Sequence, residues 1–160
     1  MSSEAIPSVV IMTSTNPIRL DAVLLALPAR TKIEVLRASA ARAAEISGSD
    51  PLTVFRALAD REKLGSTGVG SGVALPHAAV DGLVEPVALF ARLEKPVDWE
   101  AIDEQPVDLV VVVLSPTTGG EGAPNPLARS ARLLRSAEVR RRLVTCRAAE
   151  QVLEIFAGGV

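Results

Sequence analysis

The chain has 160 residues, 48% of them hydrophobic and 22% charged, with a formal net charge of −2. That balance excludes a disordered chain and allows one sizeable buried core. Only 2% of the residues are aromatic, Tyr is absent and no basic tail is present, which argues against nucleic-acid binding by stacking or by charge.

The opening "MSSEAIPSVVIMTSTNP" lacks a basic start, an apolar core and a cleavage site, so it does not read as a signal peptide. Within it, "VVIMTS" (9–14) reads as a short strand or an extended lead-in. A helix is expected over "TKIEVLRASAARAAEI", with capping-box spacing between Thr31 and Glu34 and with Ile33, Leu36, Ala40 and Ala44 on one face. After the break "SGSD", Asp50 caps and Pro51 starts a second helix, "PLTVFRALADREKL", which should bury Leu52, Phe55 and Leu58. "GVAL" then reads as a short strand stopped by Pro76. "PVALFARL" reads as a strand with Arg92 outward, and the β-branched run "VDLVVVVL" as a central strand covered on both faces. "SPTTGGEGAPNP" is a loop by composition, and "PLARSARLLRS", "AEVRRRLV" and "AAEQVLEIFAG" are three helical stretches. Helices before, between and after strands imply an α/β layered domain. The longest apolar run is too short for a bilayer, and the lone Cys146 cannot close an internal disulfide, so a cytoplasmic protein is expected.

One stretch carries candidate chemistry. "GSTGVGSGVALPHA" (65–78) ends on His77, the only histidine of the chain. It fails as a dinucleotide fingerprint, because position 73 is Val and the loop feeds a strand, and as a Walker loop, because no lysine follows the glycines. Two readings stay open on the local residues. His77 is an incidental side chain at a strand end and the glycines make a turn, or the loop presents a nucleophile. A neutral imidazole can attack phosphorus and carry the phosphoryl group. Such a site needs donors for the oxygens, which Ser66, Thr67 and the amides around Gly68 and Gly70 could supply. No paired metal-ligand spacing occurs, so neither metal nor cofactor is expected. Cys146 reads as a buried thiol.

"REKLGSTGVGSGVALPH" (61–77) resembles the active-site signature of the fructose/mannitol-type (type-2) enzyme IIA domains of the phosphoenolpyruvate-dependent phosphotransferase system (PTS), nearest to the nitrogen-regulatory branch. "LEKPVDWEAIDEQPVDLVVVVLSP" and "TKIEVL" resemble further segments of it, so residues 1–160 are expected to form one such domain with its core over roughly 10–157. The resemblance implies a mixed β-sheet flanked by helices on both faces, a three-layer α/β/α fold. It implies a phosphohistidine at His77, loaded by an HPr- or NPr-type carrier protein, with Arg61 gripping the phosphate. A phosphotransferase component of this kind acts mainly as a regulatory switch through an unknown target protein. The chain departs from the family pattern twice. Ala78 stands where the family usually has Gly, and a second histidine is missing at the slot that falls on Ala123, with Asn125 nearby. That absence supports an alternative, a degenerate interaction module without efficient phosphotransfer. A sugar-specific IIA working with separate IIB and IIC partners is a third reading.

Overall fold

The computed structural model describes residues 17–118 and 125–158. The expected strand "VVIMTS" and Ala123 lie outside the described residues. The elements in chain order are β1 (Ala22–Leu27), α1 (Lys32–Ser47), α2 (Pro51–Leu64), β2 (Gly68–Gly70), β3 (Val73–Ala74), β4 (His77–Val80), β5 (Val87–Val97), β6 (Val107–Pro116), α3 (Pro126–Leu133), α4 (Ala137–Thr145) and α5 (Ala149–Gly158). The sheet runs β1-β5-β6-β3-β2, with β4 also paired to β6. It is mixed: β1 is parallel to β5, β5 antiparallel to β6, β3 and β4 parallel to β6, and β2 antiparallel to β3.

Alternation along the two long strands builds the three layers. Leu89, Ala91, Val110, Val112 and Leu114 join one core with Val35 and Leu36 of α1 and Val54 and Leu58 of α2. Their neighbours Ala88, Phe90, Val111 and Val113 join a second core on the other face, with Val139, Leu143, Val152 and Phe156 from α4 and α5. Successive strand side chains point to opposite faces, so an unbroken Val run serves both cores. The mixed sheet with helices on both faces is therefore present as the resemblance implied.

Several local expectations need correction. Leu36, Ala40, Ala44 and Leu58 are buried as expected, but Ile33 (46% exposed) and Leu52 (48%), both in the first turn of their helices, face solvent, and Val35, Ala43 and Val54 complete the buried stripes. Phe55 is only partly buried and stacks under the Arg37 guanidinium, 4.3 Å from its ring centre. Arg92 does not simply point out; its Nη1 donates to the carbonyls of Leu143 (2.8 Å) and Cys146 (2.7 Å) at the end of α4, where free carbonyls attract a cation. "DAVLLALP" carries β1, a strand its Leu/Ala-rich composition did not signal. The caps hold: Thr31 Oγ1 accepts from Glu34 N at 3.1 Å and Asp50 Oδ2 from Thr53 N at 2.9 Å, although the Glu34 carboxylate takes its proton donor from Arg30 N rather than Thr31 N.

Candidate functional site

Pro76 interrupts the edge of the sheet without shifting it. Val73 pairs with Leu109 before the proline and His77 pairs with Val113 after it, in unchanged register. The Pro76 carbonyl still accepts from Val113 N at 3.0 Å, so only the missing Pro N–H breaks the ladder. The strand expected to stop at Pro76 thus resumes as β4, beginning with His77.

His77 lies in one row with Val113 and Ala88, both in the core beneath α3–α5, so its partly exposed ring projects to that face. The adjoining Ala78 methyl packs against the opposite core. Its departure from the family's Gly therefore places a methyl group behind the sheet and away from the ring. His77 Nδ1 lies 2.8 Å from the Leu75 carbonyl oxygen. A carbonyl can only accept, so Nδ1 carries a proton, and in the neutral ring Nε2 is then the nitrogen with the lone pair.

Arg61 sits in the last turn of α2, which packs against β4. Its Nη1 donates to the Gly65 carbonyl at 2.8 Å, and Gly65 opens the loop that pairs through the Thr67 carbonyl with Leu75 N at 3.0 Å. Arg61 through Gly65 and His77 through Leu75 are thus linked along one loop and strand bond, although α2 covers the core opposite the His77 ring, and among the described residues no direct hydrogen bond joins the two side chains.

The other expected phosphate donors are engaged elsewhere. Ser66 Oγ donates to Trp99 O (2.8 Å) and accepts from Gly68 N (3.0 Å). Thr67 donates its hydroxyl to Glu62 Oε1 (2.7 Å) and its amide to Glu62 Oε2 (2.8 Å), and accepts from Trp99 Nε1 (3.1 Å). Gly68 is small because a Cβ there would stand 2.7 Å from the Ala101 Cβ and 3.2 Å from the Trp99 ring. Gly70 (φ +101°) and Gly72 (φ +80°) belong to a turn whose Gly72 carbonyl accepts from Asp108 N and Leu109 N. Residues 73–76 separate that turn from the row of His77, which lies five extended residues, about 16 Å, from Gly72. There the Ser71 and Gln105 amides hold the Asp103 carboxyl below its ordinary range, and burial pushes Asp108 up. In this conformation the glycines shape a turn and a close packing contact, and the His77 ring stands apart from the Gly70–Gly72 turn.

Residues the sequence reading passed over complete the corner. Trp99 is fully buried, and Glu62 is paired with Lys32 Nζ at 3.1 Å, with side chains only 6% and 14% exposed. Two signals pointed there: a single Trp in an aromatic-poor chain, and a carboxylate in the last turn of a helix, where the macrodipole disfavours it. Asn125 caps α3, its Oδ1 accepting from Leu127 N (3.0 Å) and Ala128 N (3.2 Å), a turn role that follows from its place before Pro126. Cys146 is buried and its thiol is pushed up by that burial, in keeping with a structural thiol. Among the described residues no cluster of His, Cys, Asp and Glu has the makings of a metal site, and no helix is long and apolar enough to cross a membrane.

A mixed sheet between two helical layers, with a Pro-His step on its edge, defines a type-2 enzyme IIA. The family model for the phosphoenolpyruvate-dependent sugar phosphotransferase system, EIIA 2, matches residues 16–158, and the chain belongs to that family. Relatives named nitrogen regulatory proteins are among those similar to this chain. A nitrogen regulatory protein of Bradyrhizobium diazoefficiens is 42% identical over 146 residues, which cover 91% of this chain and 95% of that protein. The crystal structure of nitrogen regulatory protein IIA-Ntr from Neisseria meningitidis matches with a TM-score of 0.75 at 32% identity, over 84% of this chain and 92% of that one. Escherichia coli enzyme IIA mannitol, solved in complex with phosphorylated enzyme IIB mannitol, shares the fold with a TM-score of 0.72 at 22% identity, over 85% and 94% of the two chains.

Proposed function

We propose that this chain is a phosphoryl carrier whose His77 Nε2 accepts the group from an HPr- or NPr-type phosphohistidine protein. The observation that carries the reading is the Nδ1–H bond to the Leu75 carbonyl, which leaves Nε2 as the nucleophile on a partly exposed ring. In the transfer, the Nε2–P bond forms while the donor's N–P bond breaks and its electron pair returns to the donor imidazole. The proton stays on Nδ1, hydrogen-bonded to the Leu75 carbonyl oxygen, and that bond stabilises the positive charge growing on the ring. Arg61 is the group proposed to hold the phosphoryl oxygens, a guanidinium being permanently charged and able to grip two oxygens at once. The support given by Ser66, Thr67, Gly68 and Gly70 is then indirect, through the loop they shape, rather than by donating to the phosphate.

A regulatory readout in the cytoplasm, by contact with a target protein whose affinity follows the phosphorylation state, is supported by the relatives named nitrogen regulatory proteins. A second reading rests on the single histidine of the sequence: an interaction module of the same fold that no longer accepts phosphate efficiently. Incubation with phosphoenolpyruvate, enzyme I and an HPr-type carrier decides between them by intact mass at alkaline pH. One acid-labile phosphoryl group, absent in His77→Ala, is the expected result. No gain with a donor competent on another IIA would favour the interaction module.

A further inference from the structure

Glu62 is nearly buried in the last turn of α2, a place where both desolvation and the helix dipole oppose a carboxylate. Its two oxygens are fully used, Oε1 by the Thr67 hydroxyl and Oε2 by the Thr67 amide and Lys32 Nζ. The clamp closes on a single residue, and that residue is one strand bond away from the nucleophile. The Thr67 carbonyl accepts from Leu75 N at 3.0 Å, and the Leu75 carbonyl holds His77 Nδ1 at 2.8 Å. Pro76 confines Leu75 to extended geometry, so the direction of that carbonyl follows wherever Leu75 is held. The same loop carries the Gly65 carbonyl on which Arg61 is anchored.

From this chain of contacts we infer that Glu62 is a positioning residue for His77. By fixing Thr67 it fixes the Leu75 carbonyl, and so keeps the imidazole in the Nδ1–H form with Nε2 unprotonated. Its consequence for phosphoryl transfer rests on His77 being the acceptor, whereas the tautomer itself does not.

The test uses Glu62→Gln. An amide accepts at one end only, so one of the two Thr67 donors would face an NH2 group and the clamp would open. With one histidine in the chain, two-bond proton–nitrogen correlation spectra of the labelled protein read a single ring without overlap. They are recorded at about pH 8.5, where a free imidazole is neutral. Wild type is expected to show Nδ1–H alone, and Glu62→Gln a mixture with Nε2–H. Trp99→Phe removes a donor from Thr67 while leaving both Glu62 bonds, and is expected to keep the wild-type tautomer. A pure Nδ1–H ring in Glu62→Gln overturns the inference, and so does an equal shift in Trp99→Phe, which would mean general loosening. If Glu62→Gln does not fold, Thr67→Val and Thr67→Ser replace it. The inference expects a tautomer shift in the first and rescue in the second, and fails if the two behave alike. Where wild type accepts phosphate, Glu62→Gln should lower kcat about tenfold or more with the donor KM unchanged. A wild type that accepts none defeats the acceptor reading, and the spectra still decide this one.

Discussion

The Trp99 corner and the His77 step lie on either side of the Gly65–Thr67 loop, and they differ in how their polar atoms are used. In the corner every side chain is matched: Ser66 with Trp99 O, Thr67 with Glu62 and Trp99 Nε1, Glu62 with Lys32. At the step, one ring nitrogen is held by a backbone carbonyl while the ring remains partly open to solvent. Saturated hydrogen bonding in a low-dielectric pocket resists displacement, because any movement strands a buried donor or acceptor. A partly exposed ring can thus be held in place without being covered, by rigidity built next door and transmitted through the strand bond between Thr67 and Leu75.

Three substitutions test the difference between the two regions. The largest effect is expected from Trp99→Ala, which empties a fully buried site and leaves Thr67 without its indole donor. Denaturant unfolding should show a loss of about 3–5 kcal/mol. A cost near that of an exposed residue would mean the corner is not the rigid element. Gly68→Ala comes next, because its new methyl meets Ala101 and the indole at distances that force something to move. The expected loss is about 1–3 kcal/mol in the same assay, and it follows from packing whether or not a phosphate is present. His77→Ala should cost least, about 1 kcal/mol for one hydrogen bond of a partly exposed ring, with the far-ultraviolet spectrum unchanged. A larger loss would make His77 a structural residue as well, and would erase the difference between the two regions.

Much of the architecture was legible before any coordinates. The Val run 110–113 marks a strand covered on both faces, and Thr31, Asp50 and Pro51 mark helix starts through chemistry that acts within four residues. The strand 22–27 was not legible, since Ala and Leu favour helix and its place beside β5 depends on the sheet already being there. Ile33 and Leu52 were misplaced for a related reason, because periodicity gives a stripe but the partner surface chooses which edge of it is buried.

The site divides along the same line. That His77 is a lone imidazole behind a proline, in a stretch similar to the IIA signature, could be read from residues in a row. Which groups surround it could not. The donors expected from the glycine-rich loop turn out to be spent on Glu62 and Trp99, partners up to 33 positions away in sequence. The Gly70–Gly72 turn lies at the far end of the edge, beside Asp108. The helix caps and the layered class could be read from the residues in order, because they depend on local chemistry and on period, and His77 stood out there as the candidate acceptor. The proton on Nδ1 and the burial of Glu62 came from the fold alone, since both depend on which carbonyl, amide and ammonium it brings within hydrogen-bond reach.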